Sequence, residues 1–116
     1  MPDPVVALPP RANQIVLAGT LADEPEFRFT PSGRLLACLT VEHLSQQEQF
    51  AAQRIEVRMG VLALGDLAEW CRPLRPGQLL QVEGRLNQKR WIRDGKIRWG
   101  QVELWAERIA LLPESL

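Results

Sequence analysis

The sequence predicts an all-β domain, five strands closing as a small barrel, with one short helix between the third and fourth strands. Three observations carry this expectation. Apolar and β-branched residues come in short runs, turn residues punctuate those runs, and one segment alone combines a helix-capping pattern with a proline stop. At 116 residues and 46% hydrophobic content, the chain forms one domain whose core needs no metal or disulfide staple.

Residues 1–12 hold four prolines, the acid Asp3 and a short apolar run, which fails as a signal peptide and reads as a disordered tail. The folded domain is expected at 13–112, with a short end at 113–116. Asn13 to Phe29 reads as a first strand that bends or breaks at Asp23 to Pro25. Thr30-Pro31-Ser32-Gly33 supplies a turn into the second strand, Leu35 to Val41. His43 to Gln53 is polar and without period, the pattern of a mobile loop. Arg54 to Met59 alternates, with Ile55, Val57 and Met59 on one face and Arg54, Glu56 and Arg58 on the other, as in a half-buried third strand.

In Gly65-Asp66-Leu67-Ala68-Glu69-Trp70 an acid at the N-cap is followed three places later by glutamate, and Pro73 stops the helix; Trp70 is expected to pack in the core. Arg75-Pro76-Gly77-Gln78 suits a type II turn into the fourth strand, Leu79 to Leu86. The chain reverses at Asp94-Gly95 and returns as the fifth strand, Trp99 to Leu112. This is the element order of an OB-fold, which binds oligonucleotides on strands two and three and on the loops joining one to two and four to five. Other small five-stranded barrels share the same linear pattern.

Charge is sorted along the chain. The formal net charge is zero, yet Arg85 to Arg98 holds six of the fourteen Lys and Arg residues beside a single acid, Asp94. Cations interleaved with an aromatic suit an unpaired nucleic-acid strand, which presents phosphates and flat bases. Lys89, Arg90, Arg93, Lys96 and Arg98 are therefore candidate phosphate contacts, although edge strands also carry charge merely to stay soluble. Trp91 either stacks on bases or packs across the hairpin onto Trp99. Trp99 and Trp105 share a face if no bulge intervenes. Arg34, just after the turn, either reaches phosphate or is an ordinary exposed arginine; Arg54 and Arg58 either contact DNA or pair with Glu56.

Cys38 and Cys71 lie in apolar surroundings outside any C-x-x-C or Cys/His cluster, and both read as reduced, buried thiols. His43, the only histidine, is expected to hydrogen-bond the loop after the second strand. No Walker A, G-x-S-x-G or H-E-x-x-H pattern is present, so no catalysis, cofactor or metal is expected. No apolar run approaches the roughly 20 residues of a membrane span, which leads to an expectation of a cytoplasmic protein away from membranes.

Asn13-Gln14-Ile15-Val16-Leu17-Ala18-Gly19-Thr20, Pro25, Thr30-Pro31-Ser32-Gly33 and Val41-Glu42-His43 resemble the start of the PriB family, primosomal replication protein N. Glu42-His43-x-Ser45-x-Gln47-Glu48 resembles that family's loop after the second strand, and Val82-Glu83-Gly84 with Ala106-Glu107-Arg108-Ile109 resembles its last two strands. Leu74-Arg75-Pro76-Gly77 through Gly84-Arg85-Leu86, then Lys89-Arg90-Trp91, is equally similar to bacterial single-stranded DNA-binding protein. The end at Leu116, with no long acidic-ended tail, and the Glu42-His43 opening favour the first resemblance. It implies a homodimer that binds single-stranded DNA and bridges the PriA helicase and DnaT during replication restart, with Arg28 at the edge of the DNA site. Glu56 stands where well-studied members of the family carry a strand-three tryptophan, so Trp91 or Phe50 would supply the ring. Two alternatives remain: a paralogue of single-stranded DNA-binding protein that coats DNA, and a protein–protein adaptor with incidental DNA binding, which zero net charge suits.

Overall fold

A computed structural model describes residues 11–46 and 54–113. It contains β1 (Ile15–Leu21), β2 (Glu26–Phe29), β3 (Leu35–Gln46), β4 (Arg54–Leu64), α1 (Asp66–Trp70), β5 (Leu79–Arg93) and β6 (Lys96–Leu111). Most of the expected tail, residues 47–53 of the expected loop including Phe50, and residues 114–116 lie outside the described residues.

The expected first strand is two pieces, β1 and β2, separated where Asp23 and Pro25 interrupt the ladder. The sheet order is β1-β5-β6-β4-β3-β2, and a further β1–β3 pairing through Thr20↔Glu42 and Leu21↔Val41 closes it. With β1 and β2 taken as one bent strand, this is a closed five-stranded barrel with one short helix, as expected. β4 and β6 run parallel through Gly60↔Glu103, Val61↔Leu104 and Leu62↔Trp105, and the other pairings are antiparallel.

Strand alternation points Leu35, Ala37, Leu39 and Val41 of β3, Val61 and Ala63 of β4, Leu80 and Val82 of β5 and Leu104 of β6 into the barrel. Ala68, Cys71 and Leu74, in and after α1, join the same core cluster between β4 and β5. Each fully buried leucine or valine adds about 1.5–3 kcal/mol relative to exposure, enough in sum to fix the register. Gly84 permits the closest strand approach: a Cβ there would lie 2.0 Å from the carbonyl oxygen of Trp105. A ladder irregularity falls at the same place, between Glu83 and Gly84.

Several local expectations need correction. β3 runs on to Gln46, because His43 to Gln46 pair residue for residue with Val57 to Arg54. This stretch lies past the last β1–β3 pair, so neither face is fully buried and no apolar alternation marks it. His43 sits in the strand, its Nδ1 2.6 Å from the carbonyl oxygen of Ala18 and its Nε2 2.7 Å from Ser45 Oγ. The N-cap of α1 is Gly65 at φ 63°, with no side-chain cap, because the tight exit from β4 needs a left-handed residue and moves Asp66 into the first turn. Trp70 is 41% exposed, since α1 is one short turn and Ala68 takes its core-facing position. Cys71 is buried, which pushes its thiol up to about 11. Cys38 instead lies on the outer face of β3, half-buried, because alternation gives the inner face to Ala37 and Leu39.

Candidate nucleic-acid interface

Strand register decides which side chains share a surface. On the outside of the barrel the β3–β4 ladder pairs Cys38 with Leu62, Thr40 with Gly60, Glu42 with Arg58, Leu44 with Glu56 and Gln46 with Arg54. β5 and β6 form a hairpin extending well beyond their pairings with β1 and β4, and it reverses at Asp94 and Gly95 with φ 54° and 72°. Two successive positive φ values are those of a type I′ turn, which the Asp-Gly pair favours.

A bulge sorts the residues of this hairpin. Gln88 pairs with Val102 and Arg90 with Trp99, so Gly100 and Gln101 together stand opposite Lys89. Beyond it, Arg90, Ile92, Ile97 and Trp99 take one face, while Trp91, Arg93, Lys96 and Arg98 take the other together with Lys89. The Arg90 guanidinium carbon lies 6.0 Å from the Trp99 ring centroid, a cation–π contact. Trp91 does not pack on Trp99. Its indole covers Gly100, where an added Cβ would come within 3.0 Å of Cζ3, and it stays 48% exposed. Trp99 and Trp105 fall on opposite faces because the bulge intervenes.

The face bearing Trp91 continues onto the barrel. Lys89 lines a depression of about 220 Å³ with Arg28, Cys38, Thr40, Gly60 and Glu103. Arg28 donates to Cys38 Sγ at 3.6 Å, which holds its guanidinium over β3. Gly60 leaves the middle of the outer face open, with nothing within 4 Å of a Cβ built there. Lys89 Nζ is 3.8 Å from Glu103 Oε1, an electrostatic contact too long for a hydrogen bond.

Thus Arg28, Lys89, Trp91, Arg93, Lys96 and Arg98 come together, and the other candidate residues do not. Arg90 faces away. Arg34 lies against Gly65, at the end of the β3–β4 ladder opposite Arg54 and roughly 33 Å from it at 3.3 Å per residue. Arg54 pairs with Glu56 at 3.0 Å; Arg58 pairs with Glu42 and Asp23 rather than Glu56. Arg93, Lys96 and Arg98 have no carboxylate partner among the described residues. A cavity of about 830 Å³ between β1 and the β3–β4 arm is lined by Arg58 together with two carboxylates, Glu42 and Glu56, and is a poor place for an anion.

The sequence reading missed the outward placement of Cys38 and left the face of Trp105 open; with Leu104 buried, strand alternation turns its neighbour Trp105 outward. Among the described residues no group of His, Cys, Asp and Glu could hold a metal ion, and no helix is long and apolar enough to cross a membrane.

Residues 13–95 match a family model described as "another single-strand binding protein family". A single-stranded DNA-binding protein of Thermus aquaticus is 41% identical over 103 residues, covering 84% of this chain and 38% of that protein. The Replication restart protein PriB of Nitrosomonas europaea is 29% identical over 89 residues, 76% of this chain and 81% of that protein. The crystal structure of wild-type single-stranded DNA binding protein from Thermus aquaticus superposes with a TM-score of 0.75 at 34% identity, over 88% of this chain and 50% of that one. This chain therefore spans half or less of the Thermus proteins that it matches. The closed barrel and the match over most of the chain lead to one conclusion: the protein belongs to the single-strand binding protein family.

Proposed function

We propose that the protein binds single-stranded DNA without strong sequence preference. One observation carries this reading: on one face of the β5–β6 arm, Arg93, Lys96 and Arg98 stand without acidic partners among the described residues, around the half-exposed indole of Trp91. In the proposed complex these cations hold phosphates, Lys89 and Arg28 continue the contact onto the barrel, and Trp91 stacks on a base. Arg54, Arg58 and Arg34 are peripheral contacts, because acids or distance separate them from this strip. The names of the Thermus relatives support the same reading.

Within it, the protein is placed as a homodimeric cytoplasmic accessory of the replication-restart primosome, bridging the PriA helicase and DnaT. The PriB-like segments and the Nitrosomonas relative support that placement. The outer edge of β1 supports the dimer, since Ile15 to Leu17 pair only with β5 among the described residues and Val16 is exposed. A DNA-coating paralogue is the second reading, favoured by the Thermus matches. PriA helicase captured by the purified protein supports the first placement, and DNA saturation without PriA binding supports the second.

The direct test is quenching of tryptophan fluorescence by oligo-dT at several salt concentrations. About four to six phosphate contacts give a slope of log affinity against log salt of about −3 to −4. Absence of binding at low salt would overturn the proposal.

A further inference from the structure

Trp105 lies on the same side of the β5–β6 ladder as Trp91, yet on the barrel rather than the arm. It pairs with Arg85 across the ladder and with Leu62 of β4, and it is 50% exposed. Its indole borders an open cleft of about 400 Å³ with Leu36, Leu62, Leu64, Thr30, Arg85 and Glu107. The outer face of a water-soluble barrel gains nothing from an indole beside three aliphatic side chains unless something covers them.

The surroundings indicate the occupant. Arg85, Lys89 and Trp91 are alternate residues of β5 on the outward side, so the cleft and the Trp91 face are two ends of one strip. The stretch from Arg85 to Trp91 is roughly 20 Å long at about 3.3 Å per residue. A guanidinium stands at each end, Arg85 beside Trp105 and Arg98 beside Trp91, and Lys89 lies between. The only restraint on Arg85 among the described residues is an exposed contact with Glu107 at 3.6 Å, which is worth little in water. A flat apolar slot with a cation at its rim fits a nucleobase and its phosphate, which the strip delivers as one strand.

We propose that Trp105 is a second base-stacking platform, the cleft taking one nucleobase of a bound single strand while Arg85 holds an adjacent phosphate. The inference rests on the single-stranded DNA reading and adds a site on β6. Stacking uses the π-face common to all bases, so the site adds affinity without sequence preference.

The test compares unsubstituted protein with Trp105→Leu, which keeps an apolar cover over Leu36 and Leu62 but removes the ring. Oligo-dT affinity is expected to fall about 5- to 150-fold, the equivalent of one stacked base, with the salt slope unchanged. Unchanged affinity in the variant, with the unsubstituted protein binding normally, overturns the platform and leaves the DNA reading standing. Failure of the unsubstituted protein to bind overturns the parent reading instead. Should Trp105→Leu misfold, ultraviolet crosslinking of the unsubstituted protein to oligo-dT decides the matter: adducts at both Trp91 and Trp105 support the proposal, and adducts at Trp91 alone overturn it.

Discussion

Two antiparallel arms leave this barrel, and both carry arginines, yet their charges are arranged in opposite ways. In the β3–β4 arm Arg54 faces its own neighbour Glu56, and Arg58 lies between Glu42 and Asp23. In the β5–β6 arm Arg93, Lys96 and Arg98 meet no acid among the described residues, and Asp94 is spent on the turn. The difference shows that a tally of basic residues does not define an anion site; cross-strand register decides which cations are left without a partner. Exposed pairs are worth only about 0–1 kcal/mol, so the β3–β4 arginines are not locked. They are neutralised, and it is the field of the other arm that an incoming phosphate meets.

The comparison can be broken in several ways. The largest single-residue effect on DNA is expected from Trp91→Ala, a loss of about 1–3 kcal/mol in oligo-dT affinity with an unchanged unfolding midpoint, because the ring lies over Gly100 on the arm, 48% exposed and outside the core. A drop in melting temperature with binding retained would make Trp91 a packing residue. A smaller change of opposite sign is expected from Glu103→Gln. Removing the carboxylate that faces Lys89 brings the barrel closer to the unpaired arm, and affinity measured in the same titration should rise by up to about 1 kcal/mol. A fall would show that Glu103 positions Lys89 instead of competing with phosphate.

Much of this molecule is legible in its sequence. Proline and glycine at 76 and 77 announce a turn, and Gly77 indeed takes φ 91° with Gln78 N–H bonding the Arg75 carbonyl oxygen. Asp94-Gly95 marks the tip of the basic hairpin, and the barrel order follows from the runs between such punctuation. The site is less legible because its composition depends on register. One extra residue at Gly100 and Gln101 inverts every side chain beyond it, which separates Trp99 from Trp105 and Arg90 from Arg98. Gly100, a glycine inside a strand, is the local sign of that bulge, but it does not give the register on either side. His43 to Gln46 fail to read as strand for a related reason, since a ladder outside the core has no buried face to impose alternation.

The central claim is that the β5–β6 arm, not the β3–β4 arm, carries the electrostatic contact with DNA. The most direct measurement is the salt dependence of oligo-dT affinity for two multiple variants, Arg93→Ala with Lys96→Ala and Arg98→Ala, and Arg54→Ala with Arg58→Ala. Loss of three phosphate contacts should flatten the slope by about 2 in the first, while the second should stay within about 0.7 of the unsubstituted protein. Equal flattening in both, or a larger effect in the second, would contradict the account.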